Sequence, residues 1–392
     1  MKRFIKFISE LNSEFADLKL EKAIQEKKKI IVLIPDNIKM AQRGFKILQQ
    51  WGVDLYTICI PDEIIECEHT NYENIIRLSQ LKNEQNIVII VFNFLALPIQ
   101  WTMISYLKNL GIENIIMVGE DTHYNYNLIM KHLVEIYEVY EMLDTEDGSK
   151  KIYLSLLKRR VTGDVTDIIF SENKQYFLNQ YRLQPGNVII DAGAYDGTTS
   201  IDLLNSIHGN GQVYSFELDK YNYEKFLKDY TGVYKNNIVF ENLGLSDSEG
   251  EVFYVPATTG TKYSSMGGTE KGKVIDIDSY IAKKRITSVN YIKMDIEGAE
   301  LEALHGARNV ISTYHPQMAI SLYHRPDDLW TIPIYIKQLN PQYHFSVAHH
   351  FIDVRHGYTP QGFTESEELL QKCYGEAKIY HTIWESVLYV KG

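Results

Sequence analysis

An α/β protein built from two Rossmann-like domains is the fold class this sequence predicts, and three observations predict it. Between Lys29 and Val118, short apolar runs alternate with helix-periodic segments, the pattern of a parallel sheet covered on both faces. A second series opens at Val188-Ile189-Ile190, three β-branched residues that read as a buried parallel strand. At 392 residues the chain exceeds one typical core, so two domains are expected.

Composition narrows the function classes. Hydrophobic residues make up 45% of the chain, as in soluble globular proteins. A formal net charge of −11 with no basic face argues against a nucleic-acid partner. The longest apolar stretch, Ile87–Ile99, is interrupted by Asn93 and too short to span a bilayer, so no membrane insertion is expected. The basic start is broken by Lys6, Ser9 and Glu10 and lacks the apolar region of a signal peptide, which points to the cytoplasm. Cys59, Cys67 and Cys373 are scattered, with neither a disulfide framework nor a zinc spacing.

Residues 1–123 form the first expected domain. Met1–Gln25 has helical spacing of apolar residues (Phe4, Ile5, Phe7, Ile8, Leu11, Phe15, Leu18) and reads as one amphipathic helix. Strands are expected at Lys29–Pro35, Asp54–Ile60, Asn86–Asn93 and Asn114–Val118, with helices at Ile38–Trp51, Tyr72–Lys82 and Ile99–Leu110. The first turn, Pro35-Asp36-Asn37-Ile38-Lys39, has no glycine, so a phosphate cradle is not expected there. This degenerate domain is expected to hold part of a substrate or to serve assembly, a homo-oligomer being one form of that. Simple packing is an equal reading.

Residues 124–184 are mostly helix-patterned, including Lys150–Arg160 and Ser171–Gln180, and read as a helical linker. Leu183-Gln184-Pro185-Gly186 is a turn signal, so the second domain is expected over 185–392. Its strands are expected at Val188–Ile190, Gln212–Phe216, Asn237–Phe240, Glu251–Val255, Val289–Met294, Gln317–Ser321, Tyr343–Ala348 and Ser386–Val390. Helices follow at Thr198–Leu204 and Asn222–Asp229. The Gly-, Ser- and Thr-rich segment Ala257–Lys273 reads as a loop that could cover a site.

The organising stretch is Val188–Ser200, VIIDAGAYDGTTS: strand, glycine turn, helix, the first unit of a sheet that binds ligands at the carboxyl ends of its strands. Its spacing is D-x-G-x-x-x-G rather than the G-x-G-x-x-G of a pyrophosphate site. A carboxylate at Asp191 would repel pyrophosphate but can orient an ammonium group, and Gly193 lets a ligand approach the backbone. S-adenosylmethionine matches that description, with a plain strand-to-helix turn as the competing reading. Glu217 ends the next strand, 26 positions after Asp191, where a carboxylate accepts from both ribose hydroxyls. Asp295 ends the strand of Tyr291–Ala307 (YIKMDIEGAELEALHGA) and should face the same cleft, whereas Glu300 and Glu302 fit the dipole of a helix N-terminus.

Taken together, DAGAYDGTT, SFELD, NLGLSD and KMDIEGAELEALHGA resemble the FkbM-type methyltransferases, as do SLYHRPDDLWTIPIYIKQLNPQYHF and IWESVLYV. The resemblance covers roughly Val161–Val390 and leaves the first domain outside. It implies a class I, Rossmann-like, seven-stranded S-adenosylmethionine-dependent methyltransferase domain preceded by the smaller α/β domain. It also implies O-methylation, often of sugars in glycans (polysaccharide biosynthesis) or secondary metabolites. By position, Asp191, Gly193, Ala194, Tyr195 and Gly197 would line the methionyl end of the cofactor. Glu217 would hold the ribose, Leu218 would lie beside the adenine, and Asn242 and Leu243 would flank the base.

Methyl transfer to a hydroxyl needs alignment, exclusion of water and a place for the proton, at a base or a metal. Eight of the 12 histidines lie from His305 onward. Among them His324 follows the strand Gln317–Tyr323 and should emerge near Asp295. His324 is therefore the expected base or ligand, with Asp295 and Glu297 as acidic companions. The same three residues would suit Mg²⁺ or Mn²⁺, although they equally make a metal-free acid–base site. His349-His350 is a second candidate. Trp330, Tyr335, Tyr343, Phe345, Phe351 and Tyr358 could stack on a sugar ring or fill the core, and Asp327 and Asp328 fit helix caps. The rival classes are a methyltransferase for a nitrogen or carboxylate acceptor, an NAD-dependent oxidoreductase, disfavoured by the missing G-x-G-x-x-G, and a non-catalytic binding protein.

Overall fold

The computed structural model describes residues 2–11, 14–34, 45–46, 48–53, 56–60, 62, 75–92, 104, 106–118, 126–163, 168–178, 183–234, 236–256, 268–350, 352–353, 379–380 and 385–392. The chain divides into two compact units. One comprises Met1–Val134, Tyr153–Ile169 and His381–Ile383, the other Glu135–Ile152, Phe170–Tyr380 and Trp384–Gly392. Residues 124–184 are thus shared out between the units instead of forming a separate linker.

The first unit carries a five-stranded parallel sheet of β1 (Lys29–Leu33), β2 (Thr57–Ile60), β3 (Ile75–Arg77), β4 (Ile87–Phe92) and β5 (Ile115–Val118), in the order β3-β2-β1-β4-β5. Val32, Ile58, Val88, Ile90 and Ile116 fill its core with Leu20 and Ala23 of a preceding helix. The expected helix Met1–Gln25 is two helices, Lys2–Leu11 and Ala16–Gln25. Phe15 interrupts them in an extended conformation, buried and edge-on to Tyr126, because seating that ring takes precedence over helical continuity. The helix expected over Tyr72–Lys82 is replaced, in its described part, by β3 and a 3-10 helix, Leu78–Asn83. Ile75 and Ile76 are β-branched and pair with Ile58 and Cys59, so sheet pairing overrides the helical spacing. The turn Pro35–Lys39 lies outside the described residues, as do about half of the expected helices Ile38–Trp51 and Ile99–Leu110.

Helices Tyr126–Lys131, Leu133–Met142 and Ser149–Thr162 follow in the chain. No helix forms over the described part of Ser171–Gln180, where Tyr176 has φ 67° and its N–H donates to Tyr389 Oη.

The second unit is built on β6 (Val188–Ala192), β7 (Gln212–Phe216), β8 (Ile238–Glu241), β9 (Gly244–Leu245), β10 (Gly250–Tyr254), β11 (Glu270–Ile275), β12 (Tyr291–Met294), β13 (Gln317–Ser321), β14 (His344–His349), β15 (Ile352–Asp353), β16 (Ile379–Tyr380) and β17 (Ser386–Lys391). Its main sheet has seven strands in the order β14-β17-β13-β12-β6-β7-β8, and β17 runs antiparallel to both neighbours. Helices Thr198–Ser206, Lys220–Tyr234, Ile277–Lys284, Glu300–His305, Arg308–Tyr314 and Asp328–Leu339 connect the strands. The order reverses at β6, with β7 on one side and β12 on the other, so the switch point where such sheets bind ligands lies at the ends of β6, β7 and β12.

Two parts of this unit depart from expectation. Residues 257–267 of the anticipated covering loop lie outside the described residues, but Glu270–Lys273 belong to β11, paired antiparallel with β10. That small sheet leaves the first four residues of β11 exposed or half-buried, so their polar sequence is compatible with a strand. Helix Ile277–Lys284 was not evident from periodicity. It begins at Asp276, whose carboxylate accepts the Ser279 N–H at 2.7 Å. Among the described residues no helix is long and apolar enough to cross a membrane.

Candidate functional site

The switch point is built on a buried ion pair. Lys293 stands opposite Asp191 in the β12–β6 register, and its Nζ is 3.1 Å from Asp191 Oδ1, with both side chains buried. Ser200 Oγ donates to Asp191 Oδ2 at 2.6 Å, and Ser215 Oγ donates to Ser200 Oγ at 2.8 Å. Lys293 Nζ also donates to the carbonyls of Ala192 (3.2 Å) and Gly193 (2.6 Å), which clamps the glycine turn onto the sheet. The idea that Asp191 presents an open carboxylate to an ammonium group is corrected: it is fully buried and committed to Lys293 and Ser200.

Gly193 and Gly197 are both required. Gly193 has φ 76°, and a Cβ there would stand 1.8 Å from the Asp295 carbonyl oxygen. Gly197 has φ 83°, and a Cβ would strike the Phe226 ring. Both positions need the left-handed region and a close approach. The N–H groups of Gly193 and Ala194 donate to Phe216 O, so the turn lies on the end of β7, and the Ala194 methyl is buried beneath it. Tyr195, half-buried with φ 51°, donates its N–H to Glu217 Oε2 at 2.8 Å.

Glu217 is 8% exposed. Burial pushes its carboxyl up to about 7, against the pull of the Asp219 and Tyr195 N–H groups and of Lys293. Asp219 N–H donates to its other oxygen, also at 2.8 Å. Asn242 donates its amide to the carbonyls of Glu217 (2.9 Å) and Leu218 (3.1 Å), fixing the strand end. Leu218 is packed under Gly244 and Gly272, where a Cβ would lie 3.2 and 2.3 Å from its Cδ1. Leu243 beside it is half-buried.

Acidic and aromatic groups converge on the end of β12. Asp295 accepts from Tyr176 Oη at 2.6 Å and from Tyr323 Oη at 2.8 Å. His324 Nε2 stands 3.4 Å from Asp295 Oδ1 and 3.3 Å from Glu297 Oε2, and its Nδ1 is 2.8 Å from Glu300 Oε1. Glu300 also accepts from the N–H of Ile296 (2.8 Å) and Gly298 (3.0 Å), folding the turn that carries Glu297 at φ 58°. Burial opposes the charge on His324, but Glu300, Glu297 and Asp295 outweigh it and raise the imidazole to about 10. His324 is therefore a cation at neutral pH, which corrects its reading as the base. Burial pushes Glu297 well above the usual carboxylate range, with the Asp295 and Glu300 charges adding to it and His324 opposing. For Asp295, burial is outweighed by His324, Lys293 and the two tyrosines, so its carboxyl is lowered.

The structure thus brings Asp295, Glu297 and His324 together, beside the Gly193 turn, as the sequence predicts. His349 and His350 do not join them. Both are buried, with Nδ1 of His349 2.9 Å from Ser386 Oγ and His350 held between Asn173 O and Tyr389 Oη. Trp330, Tyr343 and Phe345 are core residues, and Phe351 and Tyr358 lie outside the described residues. Asp327 is the N-cap residue of its helix but makes no side-chain capping bond, and Asp328, the first helical residue, accepts the N–H of Arg325 at 2.7 Å. Sequence reasoning missed Lys293, Tyr176 and Tyr323 and read Glu300 as a helix-end charge. Lys293 carried a signal, a lone cation inside the apolar strand Tyr291–Met294.

Residues 191–358 match the Methyltransferase FkbM domain. Hexuronic acid methyltransferase AglP of Haloferax volcanii is 34% identical over 73 residues, which are 18% of this chain and 30% of that protein. The crystal structure of methyltransferase FkbM from Methylobacillus flagellatus KT aligns over 99% of this chain and 98% of its own, with a TM-score of 0.66 and 19% sequence identity, a likeness of fold. The matched region begins at Asp191 and takes in Glu217, Asp295, Glu297 and His324, so the candidate site lies within the part of the chain that matches the FkbM methyltransferase domain.

Proposed function

We propose that the protein is a cytoplasmic S-adenosylmethionine-dependent O-methyltransferase that methylates a hydroxyl of a sugar or sugar-derived acceptor, in glycan or secondary-metabolite biosynthesis. The observation that carries this reading is the Asp295–Glu297–His324 cluster set against the Gly193 turn, a proton-handling site beside a cofactor-type strand end. The Haloferax relative, a hexuronic acid methyltransferase, supports the acceptor class.

The residues at the strand ends fit the cofactor. Glu217 is a buried carboxylate whose raised pKa reports incomplete compensation, and ribose hydroxyls would donate to it. When bound, S-adenosylmethionine supplies a methyl group activated by its sulfonium charge. Gly193, Tyr195 and Gly197 shape the turn at the methionyl end, while Leu218, Asn242 and Leu243 border the base. Glu297 takes the proton of the acceptor hydroxyl, burial and the neighbouring carboxylates having raised its affinity for a proton. Asp295 stays ionised, and Tyr176 and Tyr323 fix its orientation. The first domain, residues 1–123, holds part of the acceptor or mediates self-association, and no nucleic acid takes part.

Calorimetric titration with S-adenosylhomocysteine tests the cofactor. Binding to the wild type that is lost in Glu217→Ala supports the reading, and methyl transfer to oligosaccharides bearing a uronic acid then tests the acceptor. Absence of binding overturns it.

A further inference from the structure

We infer that Gln175 and Glu385 are positioning residues for methyl transfer, acting through Tyr176 to hold the Asp295 carboxylate as a fixed hydrogen-bond acceptor for the sugar. The inference rests on the methyltransferase reading for its use, whereas the chain of bonds stands on geometry alone. Gln175 Nε2 donates to Glu385 Oε2 and, at 3.0 Å, to Tyr176 Oη. Tyr176 Oη in turn donates to Asp295 Oδ2 at 2.6 Å. Gln175 and Glu385 both lie outside residues 191–358, the stretch that matches the methyltransferase domain.

Each link has one direction. A carboxylate only accepts, so the Gln175 atom facing Glu385 is its NH₂ group. The same group faces Tyr176 Oη, and an amide N–H cannot accept. The one phenol proton is therefore left for Asp295, and a chain polarised in this way strengthens its last bond. Tyr323 Oη donates to the other oxygen, Oδ1, at 2.8 Å. Oδ1 also faces His324 Nε2 at 3.4 Å, so the lone pair left for an acceptor hydroxyl is on Oδ2. The Asp295 side chain is 21% exposed, while Tyr176 and Tyr323 behind it are buried. A carboxylate already receiving two phenol protons orients a hydroxyl but is a weak base, which leaves proton removal to Glu297.

The backbone is bent to make these links. Tyr176 and Glu385 have φ 67° and 77°, left-handed values that are strained for residues with a side chain. At Tyr176 the strain is held by Tyr389 Oη, which accepts its N–H at 2.8 Å, and by Tyr291 Oη, which donates to its carbonyl at 2.7 Å. Non-glycine residues kept in this region cluster where geometry serves a site. The charged groups around the phenol are Asp295 at the end of β12, Glu385 just before β17, and Lys293, whose Nζ is 5.2 Å from the ring centroid. Burial, together with the charges of Asp295 and Glu385, keeps the Tyr176 phenol well above its usual range, so it remains a donor at neutral pH.

The test is proton NMR of the full chain at neutral pH, with turnover measured on the same variants. A buried phenol donating to a carboxylate over a short bond gives a resonance downfield of the amide protons, which Tyr176→Phe should remove. Gln175→Leu and Gln175→Glu, the second keeping the size but losing the donor, should each shift or abolish that resonance. Both should lower kcat with oligosaccharides bearing a uronic acid about 10–100-fold, the scale for a misplaced catalytic geometry. Unchanged S-adenosylhomocysteine affinity in both shows that they fold. A wild type without the Tyr176 resonance overturns the relay, as do Gln175 variants that keep it unmoved. A resonance that moves while kcat holds overturns the part of Gln175 in the reaction. A wild type that binds no S-adenosylhomocysteine, or methylates none of these acceptors, refutes the methyltransferase or the acceptor reading, and the resonance alone then decides the relay.

Discussion

Lys293 and Asp191 meet across adjacent parallel strands with Nζ 3.1 Å from Oδ1, at the point where the order of the seven-stranded sheet reverses. The pair ties together the three strand ends that form the site. Asp191 anchors β6 and, through Ser200, the following helix, while Lys293 caps the carbonyls of Ala192 and Gly193. A buried ion pair contributes little net stability compared with an apolar pair, yet breaking it leaves a charge stranded.

Lys293→Met should therefore destabilise the protein by about 3–5 kcal/mol, the usual cost of an uncompensated buried charge. The double variant Asp191→Asn/Lys293→Met should recover a large part of that loss. Urea unfolding of the wild type, the single and the double variant measures both. A single variant within 1 kcal/mol of wild type, on that scale, would show that the pair is not what holds Asp191.

Much of this was legible in the chain. The motif around Asp191 and the strand-terminal Glu217 and Asp295 gave away the sheet, because buried strands are short β-branched runs and strand ends are marked by a change to polar residues. The partners of Asp295 were not legible. Tyr176 lies 119 positions away in a segment whose periodicity suggested a helix, and only the fold brings its hydroxyl to the carboxylate. Tyr323 precedes His324 directly, and sequence gives no way to tell which of the two would donate to Asp295. Ile75 and Ile76 misled for the opposite reason, as their local spacing was helical while their pairing partner was distant.

Gly193→Ala should injure the site as much as the fold. A Cβ at φ 76° is strained, and it would overlap the Asp295 carbonyl at 1.8 Å, so the turn must move away from β12. A non-glycine residue in that region costs about 1–2 kcal/mol before any clash. Binding of S-adenosylhomocysteine should fall by more than tenfold while the circular-dichroism spectrum keeps its α/β shape. Unchanged affinity would mean the turn does not border the cofactor.

His350 supplies a pH test of the architecture behind Tyr176. Burial lowers its pKa to about 4, so it is neutral, with Nδ1 2.9 Å from Asn173 O and Nε2 2.8 Å from the Tyr389 hydroxyl that also receives the Tyr176 N–H. Its folded pKa lies below the ordinary value near 6.5, so between these values the unfolded chain binds more protons. The contribution of His350 is thus present above pH 6.5 and is lost as pH falls toward 4. Comparing the urea midpoints of wild type and His350→Gln at pH 5 and pH 7 isolates this term, which should appear as a smaller pH difference in the variant. Equal slopes would remove His350 from the network.

Glu217 shifts in the other direction, with consequences of opposite sign for stability and for binding. Its folded pKa, about 7, exceeds the ordinary value near 4.5, so the free protein loses stability from this group as pH rises between the two. Ribose hydroxyls need the ionised form as acceptor, so cofactor affinity should rise over the same upper range. With titration centred near 7, the ionised fraction changes about tenfold between pH 6 and pH 8, and S-adenosylhomocysteine affinity should change by about that factor. Glu217→Gln keeps the shape of the side chain and removes the titration. It should bind roughly 10–100-fold more weakly than wild type at pH 8, the range for losing hydrogen bonds to a charged group, with a flat profile. Calorimetry at several pH values gives both quantities, and a wild-type profile as flat as that of the variant would place the ribose elsewhere than on Glu217.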